Sequence, residues 1–512
     1  MYKLVSLLVI YLHITEGFNI LCLLPYPGKS HHMVFEPILE ELTSRGHNLT
    51  VVSFFPRQKP HPNRRDISLR SLTPLNVEVI DFASIDFSFY GLERYFEHIP
   101  IVTHLAKSNL KLCRVLLESR MFDEFVEAKG NYDLIIVEHF NSDCMLGIVH
   151  NYGLPSVGLS SCALLPWSMS RVGAPDNPAY VPGMTLPLVD EMTLSQRIEN
   201  TFFLLFYTIW YEIIIRHEEQ RLLEKKLNRR LPPLEDIGKN ASVVLVNTHH
   251  SWNGVRVMPP SVIEVGGIHL HNKRIQELPV GIKEWVSNAE HGFIVFSFGS
   301  LIRASSLPGE KLRVLLNVFE RLPQRIVWKF EKEIDNLPDN VRIMKWIPQY
   351  DLLHHNNCVA FITHGGMLSL TEAVSAGVPV LVVPLLGDQF GNAEHAKHAG
   401  FARVLRLSEL NEIQLYKALR DVLTPGMHFR AKQLSEIWRD RQHSPMDTAI
   451  YHIERTARHK GLKMSSEARW LNTLQLALID IIAFVITLLT AIVLIFYTVC
   501  LKRLKVKKIN KV

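Results

Sequence analysis

The stretch 346–390, WIPQYDLLHHNNCVAFITHGGMLSLTEAVSAGVPVLVVPLLGDQF, limits the fold more tightly than any other part of the chain. An apolar run, Val359 to Thr363, ends in His364-Gly365-Gly366. A helical pattern carrying Glu372 comes next. A second apolar run, Val378 to Leu386, ends in Gly387-Asp388-Gln389. Strand, glycine turn, helix, strand and polar loop make one β-α-β unit. Its polar residues fall at the carboxyl ends of the strands, where open α/β sheets hold ligands. The glycines let backbone approach a phosphate, and the helix N-terminus offers it partial positive charge.

The same rhythm runs through the rest of the chain. FNILCLLPY, NLTVVSFF, YDLIIVEHF (132–140), LPSVGLSS (154–161), SVVLVNTHH (242–250) and VIEVGGIH (262–269) read as strands separated by helical spans. A second alternating set opens at HGFIVFSFGS and continues through RIVWKF and the 346–390 stretch. Residues 193–230 are long, apolar and then highly charged, which predicts one or two helices lining a cleft, part of which could touch membrane. With 512 residues, two domains are expected: 18–270, a polar proline-containing linker at 271–285, and 286–460.

The ends of the chain point to a membrane. Residues 1–17 read as a cleaved secretory signal, a short apolar core with a small-residue exit. Ile481 to Leu501 is 21 residues without a charge, long enough to cross a bilayer core of about 30 Å; the transmembrane segment is placed at 478–501. The basic tail 502–512 then faces the cytosol. Six of the positive charges lie in that tail, which accounts for the formal net charge of +6 and leaves no basic face for nucleic acid. Residues 18 to about 475 would be lumenal, a single-pass type I arrangement. Lys507-Lys508 hints at retrieval to the endoplasmic reticulum. Asn48-Leu-Thr50 and Asn240-Ala-Ser242 are then glycosylation sequons. The six cysteines are scattered without C-x-x-C, and buried free thiols are expected rather than a zinc site.

WxPQxDLL, THGG, an acid and GDQF, in this order and spacing, resemble the donor-binding signature of the UDP-glycosyltransferases. The resemblance is to the membrane-bound animal enzymes and in wording is closest to insect UDP-glucosyltransferases. It extends along nearly the whole chain. It implies the GT-B arrangement, two Rossmann-like domains facing a cleft. It implies an inverting, metal-independent transfer of a hexose, glucose favoured over glucuronate, from UDP-sugar to a hydroxyl of a small lipophilic acceptor. UDP-sugar would be a co-substrate, with no further cofactor and no metal; D-x-D and H-E-x-x-H are both missing from the sequence. A homo-oligomer stays open. The rival reading is a nucleotide-sugar-binding membrane protein that lacks transfer activity and partners an active relative.

The residues that would carry such chemistry can be named. Ser30-His31 after the first strand matches the family's catalytic histidine, and a neutral imidazole suits deprotonation of an alcohol. PGKS is not a P-loop, since the required earlier glycine is Leu23. The carboxylate that orients His31 is either Glu138, at a strand end, or Asp143, five residues on; Asp143 is favoured as the shorter acid at a loop-helix junction. For the donor, the resemblance implies stacking on Trp346, hydrogen bonding by Gln349, and phosphate binding by Ser300, His364, Gly365 and Gly366. Glu372 would hold ribose, Asp388 and Gln389 the sugar hydroxyls, and Arg256 would lie near the phosphates. Relatives often carry an asparagine just after HGG; here Met367-Leu368-Ser369 stands there, so Ser369 takes that place.

Overall fold

The computed structural model describes residues 17–75, 80–84, 98–128, 130–461 and 464–509. The signal peptide, the Lys507-Lys508 side chains and part of the aromatic region after residue 84 lie outside the described residues or side chains.

The first sheet has seven strands: β1 (Asn19–Leu24), β2 (Asn48–Ser53), β3 (Arg64–Ser68), β4 (Leu134–Glu138), β5 (Ser156–Ser160), β6 (Val243–Val246) and β7 (Val262–Glu264), in the order 3-2-1-4-5-6-7. The second has six: β8 (Phe293–Ser297), β9 (Arg325–Lys329), β10 (Val341–Met344), β11 (Cys358–Thr363), β12 (Val380–Val382) and β13 (Ala402–Val404), in the order 10-9-8-11-12-13. Every neighbouring pair is parallel. The central strands β4, β5, β6 and β8 are buried at every position, because helices cover both faces of each sheet. The strand order reverses between β1 and β4 in one sheet and between β8 and β11 in the other. A doubly wound sheet opens its ligand crevice at that point.

The expected domain boundaries need correction at both ends. Helix Val280–Ser287 occupies the end of the expected linker and buries Ile282 and Val286 in the second core. Helix Pro445–Arg458 returns to the first domain, where Met446, Ile450 and Ile453 pack beside strand residues Ile20, Val157 and Leu245. In the other direction, Phe82 of the first half is buried among Phe296, Phe298 and Ile302. Its backbone donates to Ser306 Oγ (3.0 Å), and Ile80 N donates to Leu301 O (3.2 Å). These two exchanged segments tie the domains across the cleft.

Five helices position the side chains of the cleft. α1 (Lys29–Ser44) leaves β1; α2 (Pro166–Val172) and α3 (Leu194–Trp210) wall the first domain; α4 (Met367–Ala376) and α5 (Gln389–His398) come after the two turns of the 346–390 stretch. Thr193 begins α3 with a reciprocal capping box to Gln196. A π turn, Tyr211–Arg216, continues α3 and turns Arg216 inward. A terminal helix, Ile479–Ile509, carries an apolar surface with none of its candidate span, Ile479–Lys502, buried against protein. At 24 residues that span reaches about 36 Å, enough to cross a bilayer.

The expectation of free thiols fails for one pair: Cys113 and Cys144 form a disulfide, 31 residues apart. Cys22, Cys162 and Cys358 are free and buried. Closing a loop of that length removes chain entropy from the unfolded state, about 3 kcal/mol. Reduction with dithiothreitol is expected to lower the thermal midpoint, and a Cys113→Ser, Cys144→Ser chain should start from that lowered midpoint and not respond to the reductant.

Candidate active site

A cavity of about 440 Å³ lies between the carboxyl ends of the two sheets and is lined from both domains. Its first-domain wall begins at His31, in the first turn of α1. His31 Nδ1 sits 2.6 Å from Glu138 Oε1, at the end of β4. The carboxylate is buried and accepts the Nδ1 proton, which leaves Nε2 with the lone pair. Ser161 Oγ, just beyond β5, lies 2.9 Å from Nδ1 and 3.3 Å from Nε2. The rings of Tyr26 and Phe140 hold the imidazole at centroid distances of 4.3 and 4.4 Å.

The sequence favours the other acid as the partner of His31, and here the geometry corrects the expectation. Asp143 is buried between two guanidiniums, Arg171 Nη2 at 2.5 Å and Arg216 Nε at 2.8 Å. Burial alone would raise its pKa; Arg171 and Arg216 hold the carboxyl well below the usual range. Arg171 and Arg216 also share Glu235, each at 2.9 Å. Behind them, Glu219 accepts from Ser142 Oγ and from Asp143 N (2.7 Å), and burial with the nearby Asp143 charge pushes it up to about 8. This is a structural ion cluster, not a partner for His31.

The second-domain wall is built on the glycine turns. Gly299 has φ +76°, and a Cβ there would lie 2.7 Å from His364 Cε1. A Cβ on Gly366 would lie 2.6 Å from His364 Nε2. The His364 ring is therefore seated between two positions that must lack side chains. Gly365, at φ +87°, turns the chain from β11 into α4, and a Cβ would strike Val382. Burial, and then the charge of Lys329, push His364 down to about 4, so it is neutral near pH 7. Ser300 lines the cavity beside it.

Glu372, in the second turn of α4, has both oxygens engaged: Lys273 Nζ at 2.9 Å and Gln349 Nε2 at 2.7 Å. Gln349 also reaches Ser369 Oγ at 3.3 Å. Trp346 is 51% exposed and faces the cavity rather than a core. Lys29 of the first domain lies over its ring at 4.0 Å, a cation–π contact across the cleft. Asp388 accepts from Asn392 (2.8 Å), and burial raises its pKa. Gln389 Oε1 accepts from the backbone of Leu385 and Leu386, so it fixes the loop that presents Asp388.

Arg256 does not line the cavity. Its guanidinium donates to Pro182 O at 3.3 Å, on the flank of the first domain. The expectation that it lies near the phosphates is corrected. Three cavity residues stand outside the motifs read from the sequence: Ser161, Lys273 and Lys329. Lys329 is 3% exposed, ends β9 and pairs with Glu331 at 2.9 Å. A lysine closing an otherwise apolar strand run was its signal.

Two doubly wound domains with a shared cleft, phosphate-type turns on one wall and a histidine–carboxylate pair on the other define a glycosyltransferase of the GT-B class. The chain belongs to the family described as UDP-glucoronosyl and UDP-glucosyl transferase, matched over residues 21–512. It is 34% identical over 495 residues to UDP-glucosyltransferase 2 of Dactylopius coccus, covering 95% of this chain and 93% of the relative. It is 30% identical to human UDP-glucuronosyltransferase 2B15, covering 92% and 91%. Among solved structures, glycosyltransferase VinC in complex with DTDP superposes with a TM-score of 0.55 at 18% identity, covering 86% of this chain and 99% of that one. SnogD from Streptomyces nogalater superposes at 0.52 with 18% identity, covering 86% and 100%.

Proposed function

We propose that this glycosyltransferase moves a hexose, glucose favoured, from a UDP-sugar to a hydroxyl of a small lipophilic acceptor, with inversion and without a metal. The observation that carries this reading is the His31–Glu138 pair at 2.6 Å, in the same cavity as the glycine-seated His364.

In this reading His31 Nε2 takes the acceptor proton as its oxygen attacks C1 of the sugar. The bond from C1 to the diphosphate oxygen breaks, and UDP leaves with the electron pair. Glu138 stabilises the imidazolium that forms. The turn amides after β8 and β11, Ser300 and the Lys329 ammonium meet the growing charge on the diphosphate. Trp346 stacks the uracil, Glu372 takes a ribose hydroxyl, and Asp388 faces the sugar. The apolar wall of Val102, Leu105, Leu165, Trp167, Met184 and Tyr207 suits a flat hydrophobic acceptor. The preference for glucose draws on the similarity to the Dactylopius UDP-glucosyltransferase.

The Cys113–Cys144 disulfide supports an oxidising compartment, consistent with a lumenal body anchored by Ile479–Lys502 in the endoplasmic reticulum. Asn48 and Asn240 are both exposed, so glycans can be carried at either.

Lys329→Met tests the leaving-group role. The kcat for transfer from UDP-glucose is expected to fall about 10²-fold, a typical cost of removing one transition-state charge contact, with the acceptor KM unchanged. An unaltered kcat would remove Lys329 from the mechanism. Running wild type with UDP-glucose and UDP-glucuronate side by side tests the sugar; faster turnover of glucuronate would overturn the glucose assignment.

A further inference from the structure

One surface of this molecule is left unexplained by sugar transfer. Along α3 and into the π turn, Ile198, Phe202, Leu205, Ile209 and Ile213 are 63, 52, 50, 55 and 61% exposed. The spacing of four, three, four and four residues puts them on one face. Residues 200–211 contain no charge at all. A helix with water on its outer face normally carries charged residues there. An apolar stripe of this length on a soluble surface marks an interaction site.

Its surroundings say what covers it. The segment leading to the terminal helix, Glu467–Trp470, packs on α2: a Cβ on Gly173, at the end of α2, would lie 3.1 Å from Ser466 Cβ and 3.2 Å from Arg469 N. Arg469 Nη1 donates to Lys239 O at 2.6 Å, and Lys239 Nζ lies 5.2 Å over Trp470, which fixes this root to the first domain. Trp470 and Leu471 are 44 and 47% exposed, an aromatic and an aliphatic side chain where the chain approaches the apolar helix. α2 in turn packs on α3, with Trp167 stacked on Tyr211 at 4.4 Å. The stripe and the root of the anchor thus flank the same short helix.

We propose that the outer face of α3 is a second membrane contact, lying in the lipid–water interface of the bilayer that holds the terminal helix. This rests on the reading of that helix as an anchor. The inner face of α3 gives the contact a use. Tyr207, between the exposed Phe202 and Ile209 along the helix, lines the cavity. One helix therefore separates lipid from the apolar end of the active site, and acceptors dissolved in the membrane reach the cleft beside it.

The test uses the full chain in phosphatidylcholine nanodiscs, in a Cys500→Ser background so that the only accessible thiol is an introduced one. Phe202→Cys and Ile209→Cys carry an NBD fluorophore, with Ile413→Cys, 78% exposed on the second domain, as the reference site. Nitroxide-labelled lipid should quench positions 202 and 209 strongly and leave 413 unquenched. UDP-dependent thermal stabilisation confirms that each labelled chain is folded. Equal, weak quenching at all three sites overturns the contact while leaving the anchor intact. Protein that does not co-purify with nanodiscs overturns the anchor and the contact with it. Shielding at 202 without lipid quenching, together with 202–202 disulfide dimers, would assign the stripe to a second copy of the chain instead.

Discussion

Replacing His31 with alanine is expected to lower kcat for sugar transfer by about 10²–10⁴-fold, the usual contribution of a positioned general base, while UDP still binds. The expectation comes from where the ring sits. Glu138, Ser161, Tyr26 and Phe140 hold it at the cavity wall, and Nδ1 is committed to the carboxylate. Glu138→Gln should resemble His31→Ala in direction. The amide can still accept from Nδ1, but it carries no charge to stabilise the imidazolium, so kcat falls while the acceptor KM moves little. Calorimetry with UDP and single-turnover rates separate the two effects. Full turnover in either variant would remove the pair from the mechanism.

Asp143 behaves oppositely. Asp143→Ala is expected to destabilise the first domain by about 3–5 kcal/mol, the range for deleting one partner of a buried ion pair. The carboxylate is 1% exposed and contacts two guanidiniums that are themselves 2 and 7% exposed. Glu235 can neutralise only part of what remains. Denaturant midpoints read the loss directly. Molecules that do fold should turn over at nearly the wild-type rate, because the cluster touches no reacting atom. A normal midpoint with lost turnover would restore Asp143 to the catalytic role that the sequence suggests.

The two acids show where sequence reading reaches and where it stops. The strand ending at Glu138 is visible as an apolar run, and its last side chain faces the crevice because it closes a central strand at the switch point. The partners of Asp143 lie 28 and 73 residues further on, and Arg216 is delivered by a π turn with no local signature. Long-range pairing of this kind is set by tertiary packing. Cys113 and Cys144 pair for the same reason. The 346–390 stretch is legible because strand, glycine turn and helix are local, and His364, Glu372, Asp388 and Gln389 occupy the places that pattern assigns. Strand β3 is not, because RRDIS lacks an apolar run: it is an edge strand whose Arg64 is buried through pairing with Glu36 and Asp66. The return of Pro445–Arg458 to the first domain is equally hidden, since an amphipathic helix does not announce which core it covers.

The stereochemistry of the product tests the central claim most directly. Proton NMR of the glycoside formed by the full chain in membranes, from α-linked UDP-glucose and a simple phenol, reads the anomeric coupling. A single displacement with His31 as base predicts the β-glycoside alone. An α-glycoside would contradict it and require a different course at the anomeric carbon.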